Sequence, residues 1–458
     1  MLYRKAINEL LNWKNNDTVA LLVDGARQVG KTRLIEEFIK TFNNYIEIDF
    51  TKDAYALSLL LEVKNYDDFV NRLSLISKTK LSNKDDILFL DEIQYYYEIR
   101  EKRIEADSSF KDRYVDIVTL SKEIANRKGF RLIMSGSMLG VSIFSINLNP
   151  TGYLKQITMY PMDFEEFLLA NDINQALIDE VKDCFYNKKP VSETLNEIFL
   201  EKFKEFIFVG GFPAAVQGYI NDRTLSTTYG VLETIDSWYK QDILKYAKKE
   251  DRLIILEMYN ILANEITMKN KKFVKSHLDV PNFKNLDLND RFLWLKCAGI
   301  AIPVYNVTNP VYPLRISQDN KIIKLFMCDS GLLTHHIFDV DAKKKLMLNS
   351  GGVDLGAIYE NAVASLLVAH GYNPYFHSTK KRGEIDFIVE KNMAVIPIEI
   401  KSSKPNNKSM TYAHQALNNL LLAHNEIKEA WVFGINNVKK ENGNIFMFPI
   451  YMIDFIKR

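Results

Sequence analysis

The chain has 458 residues, of which 47% are hydrophobic and 26% charged, with a formal net charge of +1. That length accommodates about two to four domains, each with its own core. The near-neutral balance excludes a global attraction to nucleic acid or membrane, so any contact with DNA has to come from local patches. The cysteines Cys184, Cys297 and Cys328 are odd in number and far apart, and the histidines form no HExxH or HxxxH group. This excludes a disulfide framework and a zinc knuckle, and His335-His336 reads as structural. The first residues are charged and amphipathic, unlike a signal peptide, and no apolar run approaches the ~18 residues of a membrane helix. The expectation is a reduced, cytoplasmic protein without a membrane partner.

In chain order, Leu2, Ile7, Leu10 and Leu11 suggest a short leading helix. Thr18 to Asp24 is a continuous apolar run of strand length, and it ends in GARQVGKT, Gly25 to Thr32. After it, Leu34, Ile35, Phe38, Ile39 and Phe42 fall on one helical face. Strand, glycine loop and helix in that order form a phosphate cradle. Gly25 and Gly30 let the backbone of Ala26, Arg27, Gln28 and Val29 curl so that its N–H groups face an anion. The positive end of the helix points at the same anion. Lys31 is placed to reach the β and γ phosphates of ATP, and the Thr32 hydroxyl to ligate Mg²⁺.

Asp85 to Gln94 is an apolar strand ending in two carboxylates. Asp91 is expected to hold the metal shell and Glu92 to polarise the attacking water. A third strand, Phe130 to Ser137, ends in small polar residues. Either Ser135 or Ser137 at its tip is a candidate for sensing the γ-phosphate, a simple polar turn being the alternative.

From Asp163 to Tyr246 the pattern is helical, with Phe164, Phe167, Leu168, Phe203, Phe206 and Ile207 as core residues. Gly210-Gly211-Phe212-Pro213 marks a sharp turn between helices. Helices follow over Asp251 to Glu265, Lys272 to Leu278 and Leu286 to Ala298, then two strand-like runs, IAIPVYNV and IIKLFMCD. Three helices and a ribbon suggest a winged helix. Its lysines at positions 269, 271, 272 and 275 either touch phosphate backbone or form a solvated face.

The last region holds GEIDFIVE, then Lys391-Asn392 as a tight turn, then MAVIPIEIK. With Glu390 facing Met393, Asp386 lies opposite Pro397. Asp386, Glu399 and Lys401 then share one face, with Glu399 the diagonal neighbour of Asp386. Two carboxylates and a lysine on one face suit a divalent ion, Mg²⁺ or Mn²⁺, which would lower the pKa of a bound water. An exposed hairpin of alternating charge is the plainer alternative.

The motifs GARQVGKT, LFLDEIQ, MSGS, YPMDFEEFL, FVGGFP and FMCDSGLL run in one order along essentially the whole chain. Together they resemble a large family of bacterial and archaeal AAA+-type ATPases that carry a winged-helix region and a nuclease-like C-terminal region. The D…E-x-K arrangement resembles the PD-(D/E)XK nuclease superfamily, which implies metal binding by Glu360, Asp386 and Glu399, and more loosely an accessory role for Gln415. In such proteins a Gly-Arg pair often precedes the YPMDFEEFL-type segment, and here that place reads Gly152-Tyr153. A finger arginine is therefore unassigned among Arg113, Arg127 and Arg131.

The expected architecture is α/β. An AAA+-type P-loop core with a parallel sheet spans 1–162, a helical region 163–246, a winged-helix-like domain 247–347 and a PD-(D/E)XK-like domain 348–458. The resemblance implies a Mg²⁺-dependent ATPase, with Lys380, Lys381, Arg382 and Lys404 near a nuclease-like site that acts on DNA. The other readings are a nucleotide-dependent switch or scaffold for a protein partner, and a pure DNA-binding regulator. A homo-oligomer is compatible with each.

Overall fold

The computed structural model describes residues 2–127, 129–137, 152–268, 271–279, 287–348, 353–379, 383–402, 407–441 and 444–457, with backbone alone for 407–413. Lys269, Lys380, Lys381, Arg382 and Lys404 lie outside the described residues. The chain divides into two compact units, one of Arg4–Tyr160 with Cys297–Gly299, the other of Met1–Tyr3, Pro161–Lys296 and Ile300–Arg458.

The first unit is built on strands β1 (Ala20–Gly25), β2 (Asn44–Asp49), β3 (Asp86–Asp91), β4 (Arg131–Ser135) and β5 (Leu154–Met159). They form a five-stranded sheet in the order β2-β3-β4-β1-β5, parallel at every pairing. Parallel neighbours need helical crossovers that cover both faces, which is why β1 and β3 are buried at every residue and read as unbroken apolar runs. Leu22, Leu88, Leu90, Leu132 and Met134 of the sheet pack with Phe69, Tyr96 and Phe130 in one core. The leading helix is Ala6–Asn16, and the helix after the glycine loop is Lys31–Ile39. Strand β4 lies between β1 and β3, so the chain reverses direction across the sheet there. A crevice outside the carboxyl ends of the strands results, the place where open α/β sheets bind ligands.

The second unit combines helices with an eight-stranded mixed sheet ordered β12-β13-β11-β10-β9-β8-β6-β7. Its strands are β6 (Ala301–Val307), β7 (Gln318–Met327), β8 (Tyr375–Thr379), β9 (Gly383–Lys391), β10 (Ala394–Ile400), β11 (Ala430–Gly434), β12 (Lys439–Lys440) and β13 (Ile445–Pro449). The ribbon read as a wing is β6/β7. Its β6 edge pairs in parallel with β8 at Tyr305–Tyr375, so the ribbon extends the C-terminal sheet. A paired edge satisfies backbone groups that a free wing leaves to solvent. Of the three helices expected before it, the middle one is a three-residue 3₁₀ turn, Lys275–His277, between helices Arg252–Thr267 and Asn289–Cys297.

Gly210 and Gly211 separate helices Glu193–Val209 and Pro213–Asp222. Gly210 has φ +82°, and a Cβ on Gly211 would lie 2.2 Å from the Met162 carbonyl oxygen. The Asp329 carboxylate accepts hydrogen bonds from the Gly211 and Leu332 backbone N–H groups, joining the FVGGFP and FMCDSGLL segments. Nearby, Phe164 is fully buried among rings, with Phe203 at 5.1 Å and Phe206 at 5.7 Å between centroids.

Replacing Phe164 by alanine leaves a cavity in this ring cluster. The substitution is expected to cost about 3–5 kcal/mol in chemical denaturation, and a loss under about 1 kcal/mol would contradict the packing described.

Candidate functional site

The glycine loop begins where β1 runs beside β5. Gly25 has φ +152°, and a Cβ there would meet the Met159 carbonyl oxygen at 2.3 Å, so no other residue fits without displacing a strand. Gln28 (φ 69°) and Gly30 (φ 92°) are left-handed, which curls the loop back to the helix that starts at Lys31. The buried Lys31 ammonium donates to the carbonyls of Gly25 at 3.0 Å and Ala26 at 2.9 Å. Burial lowers its pKa, and Glu92, Asp91 and Asp24 oppose that shift.

The Thr32 hydroxyl donates to Asp91 Oδ2 at 2.8 Å, joining the first turn of the Lys31–Ile39 helix to the tip of β3. Ser135, at the tip of β4 and fully buried, donates to Asp91 Oδ1. Strand β4 lies between β3 and β1, so Ser135, one of the two serines read as candidates for sensing the γ-phosphate, stands beside the Asp91 carboxylate. A hydroxyl and a carboxylate oxygen in contact at the mouth of the loop form a donor set that fits Mg²⁺.

Glu92 follows Asp91 at φ 54° and ψ 44°, a left-handed conformation that is costly for a non-glycine residue. Burial, then the neighbouring Asp91 charge, pushes its pKa up, while Lys31 opposes. A carboxylate so raised is a better proton acceptor. The Gln94 side chain donates to Glu92 Oε2. Sequence reasoning assigned Gln94 no part in the site, nor Asp24, whose Oδ2 accepts from Gln156 at 2.8 Å and whose pKa burial raises.

The three arginines left open as fingers are engaged within their own unit. Arg131 donates to the carbonyls of Asp17, Lys14 and Lys84, Arg127 pairs with Asp67 at 2.8 Å, and Arg113 pairs with Asp107 at 2.5 Å.

The second cluster is on β9, β10 and the helix Gly356–Ala369. The hairpin register differs from expectation by two residues. Val395 faces Glu390 and Ile398 faces Phe387, a register whose continuation by one residue sets Asp386 opposite Glu399. The turn is Asn392-Met393, both at positive φ (51° and 60°), as a two-residue hairpin of type I′ requires. Asparagine tolerates that conformation and Met393 is exposed, whereas placing the turn at Lys391-Asn392 took no account of this dihedral demand.

Asp386 Oδ2 accepts from the Ile400 N–H at 2.9 Å, and Glu399 Oε1 pairs with Lys401 at 2.7 Å. Glu360 is buried on its helix and pairs with Lys271. Lys272 reaches Glu384 at 3.2 Å, and the buried Lys324 of β7 reaches the same carboxylate at 2.7 Å. Lys271 and Lys272, read in the sequence as phosphate contacts or a solvated face, therefore neutralise this carboxylate set. Their partners lie about a hundred positions away in the chain. Lys324 carried no signal beyond its strand. Gln415 is exposed on the helix Asn407–Ala423.

Two acidic oxygens, Glu360 Oε2 and Glu399 Oε2, are buried without a hydrogen-bond partner. Burial, then Asp386, pushes the Glu399 pKa up to about 8 against the pull of Lys401. Buried carboxyl oxygens without a donor suit a divalent cation, which Glu360, Asp386 and Glu399 would hold.

In the metal-free protein the folded state keeps the Glu399 proton up to pH about 8, whereas the unfolded chain loses it near about 4.3. The folded state thus binds more protons in that window. The stability Glu399 contributes is complete at low pH and is lost as pH rises through about 8. With chelator present, Glu399→Gln is expected to gain thermal stability relative to the native chain between pH 5 and pH 9. A difference that does not change with pH would contradict the raised pKa.

Residues 17–168 match the family model described as an AAA domain. Residues 200–344 and 355–453 match two domains of unknown function, DUF8612 and DUF4143. A Haemophilus influenzae protein bearing the name "Uncharacterized protein" is 23% identical over 98% of this chain and 97% of its own. A Fusobacterium nucleatum protein named cytidylate kinase is 27% identical over 45% of this chain and 95% of its own. Among solved structures, a Walker-type ATPase of Pyrococcus abyssi aligns at 15% identity and a TM-score of 0.42, over 74% of this chain and 96% of that one. The N-terminal unit has the P-loop NTPase fold, and its sequence is similar to AAA domains.

Proposed function

We propose that the chain binds ATP in the Gly25–Thr32 loop and hydrolyses it. The observation that carries this reading is the Thr32–Asp91 contact of 2.8 Å at the mouth of the loop, beside a half-buried Glu92 of raised pKa. On binding, the Lys31 ammonium exchanges the Gly25 and Ala26 carbonyls for β and γ phosphate oxygens. Glu92 accepts a proton from a water whose oxygen bonds to the γ-phosphorus. The bond to the bridging oxygen breaks, and ADP leaves with its electron pair. Mg²⁺, held by Thr32 and Asp91, would supply charge neutralisation at the phosphates. Ser135 keeps the Asp91 carboxylate aimed.

In the second unit, Glu360, Asp386, Glu399 and Lys401 support a metal-dependent phosphodiester cleavage site for DNA. Lys401 would stabilise charge at the scissile phosphate, and the nucleotide state would govern access to this site. A divalent ion there would supply an activated water. The competing reading is a nucleotide-dependent scaffold for a protein partner.

Lys31→Ala is expected to abolish ATP binding. Glu92→Gln should keep ATP binding while turnover falls about 10²–10⁴-fold, and unchanged turnover in Glu92→Gln would contradict the role given to Glu92. Lys401→Ala should lose cleavage of DNA with Mg²⁺ or Mn²⁺ while retaining fold and ATP binding. A native chain that cuts no DNA form with ATP, with a non-hydrolysable analogue or without nucleotide would favour the scaffold.

A further inference from the structure

Asp163, His370 and Asp454 come together from three distant parts of the second unit, with one ligand-type atom of each within 4.8 Å of the others. Neither the phosphate site nor the Asp386/Glu399 cluster uses them. Asp163 caps the helix Phe164–Ala170, His370 follows the last turn of the helix Gly356–Ala369, and Asp454 lies in the C-terminal 3₁₀ segment Ile450–Phe455.

The three side chains are held in ways that leave one atom of each pointing inward. The Ile456 carbonyl oxygen lies 3.0 Å from His370 Nδ1 and accepts its proton. In the neutral imidazole, Nε2 is then a lone pair. That nitrogen faces Asp163 Oδ2 at 3.5 Å and Asp454 Oδ1 at 3.3 Å. The other oxygens are occupied, since Asp163 Oδ1 accepts from the Glu166 N–H at 2.9 Å and Asp454 Oδ2 from the Glu165 N–H at 2.8 Å. Asp454 is 1% exposed, and its Oδ1 takes no hydrogen bond.

We propose that Asp163, His370 and Asp454 bind a divalent transition metal of mixed nitrogen and oxygen preference, Zn²⁺ above all. A histidine whose Nδ1–H is fixed by a backbone carbonyl is the usual arrangement of a metal-ligating imidazole. The two spacings from His370 Nε2 agree as well. Ligands about 2.0–2.2 Å from a tetrahedral Zn²⁺ stand about 3.3–3.6 Å from one another. A single charged N–H···O bond is shorter, at about 2.7–2.9 Å, whereas one N–H shared between both carboxylates makes longer three-centre contacts, so a proton and a metal compete for this geometry.

A proton is the competitor for the site. Burial lowers the His370 pKa, but hydrogen bonding and charge from Asp163 and Asp454 outweigh it and raise the value to about 10. Among the other charged groups nearby, Glu165 pairs with Lys182, and the Glu166 carboxylate accepts from the Asp163 N–H. Two carboxylates and a neutral imidazole make a neutral complex with a divalent ion. Three protein ligands leave one position for water. The metal joins the YPMDFEEFL segment to the C-terminal end of the described chain.

The test uses the full chain stripped with chelator and titrated with Co²⁺ in the presence of saturating Mg²⁺. The expected result is one equivalent of Co²⁺ with intense visible d–d absorption, displaced by Zn²⁺. It should be abolished in His370→Asn and Asp454→Asn and kept in Asp386→Asn and Glu399→Gln. Absent absorption in the native chain, or absorption kept in His370→Asn, would overturn the proposal. Should those variants fail to fold, pulsed electron paramagnetic resonance on the native chain with Cu²⁺ decides the matter. Coupling to an imidazole nitrogen at one equivalent of Cu²⁺ that one equivalent of Zn²⁺ removes supports the site, and its absence overturns it.

Discussion

The phosphate site depends on a single contact, the Thr32 hydroxyl against the Asp91 carboxylate at 2.8 Å. The two residues are held by elements that do not touch as strands, because β4 intervenes between β1 and β3. Parallel pairing fixes the height of every strand tip, so Gly25, Asp91 and Ser135 arrive together at the crevice. The crowding at Gly25, where a Cβ would stand 2.3 Å from a neighbouring carbonyl, fixes where the loop leaves the sheet. Once these constraints hold, burial does the rest. It lowers the Lys31 pKa and raises that of Glu92.

The second unit faces a different physical problem. It buries acidic side chains on neighbouring elements, and each needs a counter-charge or a proton. Lys271, Lys272, Lys324 and Lys401 supply part of that charge. The remainder appears as Glu399, still holding its proton at neutral pH, and as two carboxylate oxygens without donors.

How much of this was legible in the sequence varies with chain separation. The glycine loop, its helix and the Asp91-Glu92 pair were readable because each is a local pattern of strand, turn and helix. The Asp386/Glu399/Lys401 face was readable as alternation, but its register was misplaced by two residues. The turn is fixed by positive φ at Asn392 and Met393, and a methionine gives no sign of that. The contact of Ser135 with Asp91 was not readable, because the strand order that puts β4 between β1 and β3 is a property of the whole sheet. The ribbon β6/β7 looked like a wing because nothing local reveals that β8, some seventy residues later, will pair with it. Lys271 with Glu360, and Asp163 with His370 and Asp454, are pairings of residues far apart in the chain, and only the fold brings them together.

The most direct test of the central contact is a double-mutant cycle on nucleotide affinity with Thr32→Ala and Asp91→Ala, measured with Mg²⁺ and again with chelator. Two groups that share one metal should show a coupling of about 0.5–3 kcal/mol in Mg²⁺ that disappears with chelator. Strictly additive effects, or a coupling of equal size without Mg²⁺, would contradict the account of this site.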